Sequence, residues 1–182
     1  MDEKRIENSG VDYARKGCDM AKKVEERIQI LEDIESIKRL KASYCSWVDA
    51  GVAGDASKMN ELVSHFTDND PWADFGAFGV HRGKEAVAAF FKEVVVSALS
   101  YSAHMVSNPS IEVDGNKARG SWYVDVPCTL RGAERPMWLQ ARYEEEYVKE
   151  GEQWKWKSIT TRFDFITPYD EGWVKTPMIP ME

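Results

Sequence analysis

The C-terminal half of the chain constrains the fold most, because it consists of four strand-like runs separated by short turns. The runs cover residues 103–113, 117–130, 136–149 and 153–166. Between them stand the dipeptides Asp114-Gly115, Arg131-Gly132 and Glu150-Gly151. A two-residue turn of the Asp-Gly kind between such runs is a strong hairpin signal. The pattern predicts an antiparallel meander in which each strand pairs with the next.

The N-terminal half shows helical periodicity instead. Apolar residues recur every three or four positions over residues 14–31 and again over 34–48, which predicts two consecutive helices or one long bent helix. Asp55 suits the N-cap of a short third helix. Residues 84–95 predict a fourth helix. Its expected buried stripe is Val87, Phe90, Phe91 and Val94.

Helices followed by a run of strands indicate an α+β fold, a curved antiparallel sheet wrapped by N-terminal helices. The aromatic, glycine-broken run at 72–80 predicts one further strand or a hairpin. We expect a disordered lead at residues 1–10 and a single domain at 11–167. Residues 168–182 contain three prolines and predict an extended tail or lid.

Composition excludes several classes of function. The net charge of -7 argues against tight nucleic-acid binding, which needs a concentrated Lys/Arg field. Cys18, Cys45 and Cys128 lie far apart without a Cys-x-x-Cys pair, so they indicate neither a disulfide framework nor a zinc site. The first ten residues are polar, and the longest uncharged apolar run, 94–99, is too short to span a bilayer. We therefore expect a cytoplasmic protein without a nucleic-acid or membrane partner.

The strand pattern also predicts a cavity. A curved sheet closed on one side by helices leaves a cone, and such a cone binds small molecules when aromatic and a few polar groups line it. Candidate lining residues are Trp72, Phe75, Tyr123 and Trp156; the rings of Phe90, Phe91, Trp122 and Trp138 are expected to pack helix against sheet. In the last strand, Arg162 faces inward unless a bulge resets the register.

Four segments, taken in order, resemble the SnoaL-like branch of the nuclear transport factor 2-like superfamily. They are IKRLKASYCSWVD at 37–49, the stretch 72–91 with HRGKEAVAAFF, AHMVSNPSIEVDGNKARGSWY at 103–123, and QWKWKSITTRFDFITP at 153–168. The pattern is nearest to bile acid 7-alpha-dehydratase, hexachlorocyclohexane dehydrochlorinase and scytalone dehydratase. The resemblance implies that family's cone-shaped fold, a lyase activity without cofactor or metal, and a homo-oligomer, with a trimer favoured over a dimer.

The resemblance also implies site residues. Tyr44 and Asp49 match the tyrosine and aspartate that the dehydratases place on their first core helix. His104 matches the catalytic histidine, and Arg162 resembles the pocket arginine on the final strand. Tyr123 is a candidate pocket hydroxyl.

These residue types suit an elimination reaction. Histidine is an effective general base near neutral pH, and an aspartate bound to its other ring nitrogen fixes the tautomer. We therefore predict an Asp49–His104 dyad. Tyr44 and Tyr123 would donate to substrate oxygens, and Arg162 would hold an anionic or carbonyl oxygen.

Each of these residues has a structural alternative. Asp49 could be a solvated surface acid, Tyr44 a core ring, and His104 a structural imidazole. Arg162 could form an ordinary ion pair with Asp164 or Asp74. His65 and His81 lie in a helix end and a turn, and we expect them to be structural.

The sequence thus predicts a cofactor-independent lyase of the dehydratase type, acting on a bulky, mostly apolar oxygenated substrate such as a steroid, a polyketide or a lignin-derived aromatic. Two alternatives stay open. One is an isomerase or cyclase on the same scaffold. The other is a noncatalytic small-molecule-binding protein or a small subunit like the beta subunits of ring-hydroxylating dioxygenases.

Overall fold

The computed structural model describes residues 7–132 and 134–179, with side chains from residue 23 onward. The helices are α1 (Glu7–Val52), α2 (Ala56–Ser64), α3 (Lys84–Ala89), α4 (Val96–Ala98) and α5 (Gly172–Lys175). The strands are β1 (Trp72–Asp74), β2 (Val80–Arg82), β3 (Leu99–Ser102), β4 (Met105–Asp114), β5 (Lys117–Leu130), β6 (Arg135–Glu150) and β7 (Gln153–Pro168). The element order is that of an α+β fold, as predicted.

All strands belong to one strongly curled sheet in the order β2-β1-β7-β6-β5-β3, with β4 also paired to β5. The predicted meander is confirmed from β4 to β7, where every neighbouring pair is antiparallel. The run at 72–80 forms the hairpin of β1 and β2, closed by a 3-10 turn at Gly76–Phe78. β1 also pairs with β7, and this pair is parallel rather than antiparallel.

The N-terminal periodicity belongs to one helix. α1 contains no break near residue 33, because no glycine or proline separates its two apolar segments there. Residues 23–32 are exposed, and burial begins at Asp33, whose carboxylate accepts from Lys149 Nζ at 2.8 Å and from Trp154 Nε1 at 2.9 Å. α1 begins at Glu7, within the expected disordered lead, and residues 1–6 lie outside the described residues.

The shorter helices largely follow the prediction. The Asp55 carboxylate caps α2 by accepting from the backbone N–H of Ser57 at 3.0 Å. The predicted fourth helix continues past α3 as a π-helical segment, Phe90–Val95, and then as α4. The wider turn rotates the following residues, so Val94 is exposed although the regular period placed it in the buried stripe.

The last strand contains the bulge that decides its register. Glu146 pairs with Ser158 while Tyr147 pairs with Trp156, so Lys157 is an extra residue in β7. Beyond it the inward positions become Ile159, Thr161 and Phe163. Arg162 therefore faces outward.

The C-terminal segment is not wholly extended. Residues 172–175 form a single helical turn, a departure from the expected extended tail, and the backbone N–H of Ile179 donates to the carbonyl of Ile166 at 3.1 Å. Residues 180–182 lie outside the described part of the chain. No helix within the described residues is both long and apolar enough to cross a membrane.

Candidate active site

A cavity of about 140 Å³ lies between the helices and the inner face of the sheet. Most of its lining is apolar. From the helices and the β1–β2 hairpin come Tyr44, Val48, Phe75, Phe78, Phe90, Phe91, Val94, Val95 and Ala98. From the strands and the tail come Leu99, His104, Val126, Cys128, Leu130, Met137, Leu139, Tyr143, Thr161, Phe163, Ile166 and Ile179. The tail thus contributes a wall of the cavity through Ile179.

Asp49 lies in the last turn of α1, where the helix dipole disfavours a negative charge. Three hydrogen bonds hold its carboxylate: Oδ1 accepts from Ser102 Oγ and from His104 Nδ1, each at 2.7 Å, and Oδ2 accepts from the backbone N–H of His104 at 2.9 Å. Burial alone would raise the pKa of Asp49, but the hydrogen bonds and the proximity of His104 outweigh it and lower that pKa. Asp49 is therefore ionised at neutral pH.

His104 lies between β3 and β4, along the edge of the sheet. The backbone N–H of Ala103 donates to the carbonyl of Pro127 at 3.1 Å, but Pro127 has no N–H to return, so the ladder with β5 is interrupted here. His104 instead donates its backbone N–H to Asp49. The predicted contact between Asp49 and His104 is present, and the imidazole lines the cavity.

The Asp49 contact selects one tautomer of the histidine. An ionised carboxylate can only accept, so Nδ1 carries the proton in the 2.7 Å contact. In the neutral ring, Nε2 is then the bare nitrogen, and no hydrogen bond among the described residues occupies it. The dyad therefore presents a base to the cavity.

Tyr44 lies next to this base, and Tyr143 lies next to Tyr44. The ring of Tyr44 packs edge-on against His104 with centroids 6.1 Å apart, and against Tyr143 at 6.0 Å. Both tyrosines line the cavity and are almost fully buried. Burial raises the pKa of Tyr44 and of Tyr143, so each hydroxyl keeps its proton and can donate a hydrogen bond.

A buried ion pair lies behind these rings, and sequence reasoning missed it. Lys41 Nζ is 2.5 Å from Glu145 Oε1, and neither side chain is exposed. The ammonium also lies 3.5 Å from the ring centre of Tyr143 and 4.2 Å from that of Tyr44. Tyr147 donates to the second carboxylate oxygen. Lys41 falls in the apolar stripe of α1, and Glu145 alternates with Tyr143 and Tyr147; both anomalies are visible in the sequence.

Two predicted site residues lie on the outer face of the sheet. The Arg162 side chain is 66% exposed and reaches Glu144 at 3.2 Å, rather than the cavity, Asp164 or Asp74. The one-residue bulge at Lys157 explains the error, because it reverses the side chains that follow it up to a second bulge at Asp164. Tyr123 is 41% exposed, and the guanidinium carbon of Arg142 lies 4.9 Å from the centre of its ring.

The aromatic predictions divide between cavity, core and surface. Phe75 lines the cavity as predicted, and so do Phe90 and Phe91, which were expected only to pack. Trp156 is fully buried against Tyr44 at 5.6 Å and does not line the cavity. Trp72 borders an open polar groove on the outer face. Neither tryptophan contributes to the cavity wall.

The two cysteines and the two further histidines whose side chains the structure describes have structural roles. Burial raises the pKa of Cys45 and of Cys128 to about 11, so both thiols stay protonated and unreactive at neutral pH. His65 Nδ1 contacts the carbonyl of Glu61 at 2.9 Å, and His81 stacks on Phe90. Both fill structural positions, as expected.

Comparisons with solved structures agree with this architecture. A hexachlorocyclohexane dehydrochlorinase (LinA) of type 2 superposes with a TM-score of 0.68 at 21% identity, over 76% of this chain and 89% of that chain. A protein from Novosphingobium aromaticivorans DSM 12444, proposed to be a scytalone dehydratase, gives 0.67 at 21% identity, over 84% and 97%. An NTF2-like superfamily protein from Salmonella enterica serovar Typhimurium LT2 gives 0.63 at 17% identity, over 76% and 95%. At these identities, the similarity establishes the fold.

The sequence itself matches a family model. No curated protein matches the chain by sequence. Residues 29–160 match the model of the SnoaL-like domain, which covers α1 from its buried part through most of β7. The match covers well over half of the chain, and the chain therefore belongs to the SnoaL-like domain family.

Proposed function

We propose that the protein is a cofactor-independent lyase in which His104 is the general base of an elimination reaction. The observation that carries this proposal is the Asp49–His104 contact of 2.7 Å at the wall of an apolar cavity. A positioned base contributes roughly 10²- to 10⁴-fold to a proton transfer. Two structural relatives are named as a dehydrochlorinase and a proposed dehydratase, and both names denote eliminations.

In the proposed reaction, Nε2 of His104 removes a proton from the carbon next to a substrate carbonyl. The electron pair of that C–H bond forms an enolate, and Tyr44 donates a hydrogen bond to its oxygen. Collapse of the enolate forms a carbon–carbon double bond and breaks the bond to the hydroxyl on the adjacent carbon. The hydroxyl takes the proton back from the imidazolium and leaves as water, so no oxidant or cofactor is consumed.

The size of the cavity narrows the proposed substrate. About 140 Å³ is close to the ~150 Å³ of engineered cavities that bind benzene. We therefore propose a substrate with a single ring in the cavity, rather than the steroid or polyketide expected from the sequence. A larger substrate would extend beyond this volume.

The dehydration of 3-hydroxycyclohexanone to cyclohex-2-enone tests this function, because the enone absorbs in the ultraviolet. The proposal predicts turnover by the wild type and a loss of roughly 10²- to 10⁴-fold in His104→Ala. His65→Gln is the control, since that ring lies outside the cavity wall and its loss should not change turnover. Equal rates in wild type and His104→Ala would refute the proposal, and a product of unchanged mass would identify an isomerase instead.

We further propose that the protein is a homo-oligomer. Val24, Ile28 and Leu31 are exposed along one side of α1, at the spacing of four and three residues found in helix–helix seams. A second copy of α1 would remove these side chains from water. Light scattering after size-exclusion chromatography should give a molar mass that is a multiple of 20.8 kDa. Ile28→Glu should reduce this mass to that of one chain. A monomeric wild type would contradict the proposal.

A further inference from the structure

Thr161 carries a polar group that the proposed chemistry has not used. It lines the cavity from the inner face of β7, and it is 5% exposed. Its Oγ1 is buried and has no hydrogen-bond partner among the described residues. Leaving a buried hydroxyl unpaired is unfavourable, so such a group in a binding cavity calls for a partner on the ligand.

Thr161 also lies at the inner end of the cavity. Thr161, Phe163 and Ile166 of β7 line the cavity, whereas Ile159, the preceding inward residue, does not. The cross-strand partner of Thr161 is Tyr143, which is the last residue of β6 that lines the cavity. A ligand that enters fully must bring one end against this pair.

The lining defines the charge of that ligand. Among the described residues that form the cavity wall, there is no Lys, Arg, Asp or Glu. The Arg162 guanidinium lies on the outer face, and Lys41 is neutralised by Glu145. A carboxylate or ammonium would lose its hydration here without gaining a counter-charge.

We infer that the Thr161 hydroxyl is the specificity group of the cavity, which binds an oxygen of an uncharged, single-ring substrate at the inner end. This inference rests on the proposed function, because it takes the cavity beside His104 as the substrate site. Rotation about the Cα–Cβ bond exchanges the hydroxyl and the methyl group between staggered positions, so the oxygen can turn toward a ligand. An apolar ring would leave the hydroxyl unpaired and bind more weakly.

Phenol, toluene and benzoate test the inference, because phenol and toluene differ by one hydroxyl in place of a methyl group and benzoate adds a charge. Dissociation constants would be measured by ligand-observed NMR for the wild type, Thr161→Val and Thr161→Ser. We expect the wild type to prefer phenol over toluene about three- to tenfold, the range that one neutral hydrogen bond provides. Thr161→Val should lose this preference without losing toluene binding, and Thr161→Ser should keep it. Benzoate should bind more weakly than either.

Thr160→Val is the matched control, because Thr160 is the adjacent threonine on the outer face and lines the outer groove. It should leave the phenol preference unchanged. A preference that survives in Thr161→Val, or a wild type that binds neither phenol nor toluene, would overturn the inference. Neither result depends on turnover, so the test separates this inference from the proposed function: His104→Ala should lower the dehydration rate roughly 10²- to 10⁴-fold while keeping the phenol preference.

The ligand-free protein provides a second readout. Because Thr161→Val replaces an unpaired buried hydroxyl by a methyl group of similar shape, it should raise the melting temperature by a few degrees. If the hydroxyl had a purely structural role, Thr161→Val should lower the melting temperature instead.

Discussion

His104 binds the Asp49 carboxylate twice, through its backbone N–H to Oδ2 at 2.9 Å and through Nδ1 to Oδ1 at 2.7 Å. The backbone contact fixes the position of the carboxylate, and the ring contact fixes the tautomer. Residues that are 55 positions apart thereby form one unit at the cavity wall.

The pH dependence of stability should reveal this unit. Because the folded-state pKa of Asp49 is lowered, its ionised form stabilises the fold above its unfolded-state pKa of about 4, and this contribution disappears as the pH falls through the folded-state value. Asp49→Asn lacks this dependence. Urea unfolding from pH 7 to pH 2 should show the stability gap between wild type and Asp49→Asn narrowing below about pH 4. A gap that stays constant over this range would contradict the ionised contact.

Removing the Tyr44 hydroxyl should affect catalysis more than folding. Tyr44→Phe keeps the ring contacts with His104 and Tyr143 but removes the proposed donor to the substrate oxygen. Loss of one such donor typically lowers kcat about 10²-fold, which the enone assay would measure. Tyr147→Phe is the control: Tyr147 lies outside the cavity wall, so this variant should lose stability through Glu145 but keep its turnover.

Removing one partner of the Lys41–Glu145 pair should lower the free energy of unfolding strongly, whereas replacing both partners with apolar residues should lower it little. Lys41→Met leaves the Glu145 carboxylate buried without its cation, which typically costs about 3–5 kcal/mol of unfolding free energy. The double variant Lys41→Met/Glu145→Leu should recover most of that loss, because no charge then remains buried. Denaturant unfolding would measure both, and a double variant as unstable as the single one would show that the pair has another role.

Arg162→Ala should leave turnover unchanged. The side chain lies on the outer face beside Glu144, away from the cavity. The enone assay with wild type and variant at equal concentration checks this. A fall in kcat comparable to that of Tyr44→Phe would show that Arg162 reaches a substrate and that the described register of β7 does not apply in solution.

Much of the fold could be predicted from the sequence because its signals are local. The turns at Asp114-Gly115 and Glu150-Gly151 and the period-two alternation in β5 specify the meander without long-range information. The cap at Asp55 and the hairpin of β1 and β2 are equally local. The parallel pairing of β1 with β7 was not predictable, because no local pattern records which distant strands meet.

The site was predictable only where the family resemblance supplied the long-range information. The family resemblance is what paired Asp49 with His104 in the prediction, and the structure places the two side chains in contact. Arg162 was misplaced because one extra residue, Lys157, reverses the faces of the residues that follow it up to the second bulge at Asp164. The change in character of both faces midway along the strand allowed for such a bulge, but the sequence did not show which residue it falls on. Thr161 was overlooked because an unpaired hydroxyl becomes visible only when all of its neighbours are known.

The most direct test of the central claim is the protonation of the His104 imidazole, measured by NMR of the nitrogen-15-labelled protein at neutral pH. We expect the neutral ring to carry its proton on Nδ1 and to leave Nε2 bare, and we expect Asp49→Asn to weaken this preference. A wild-type ring with its proton on Nε2 would contradict the account, because no base would then face the cavity.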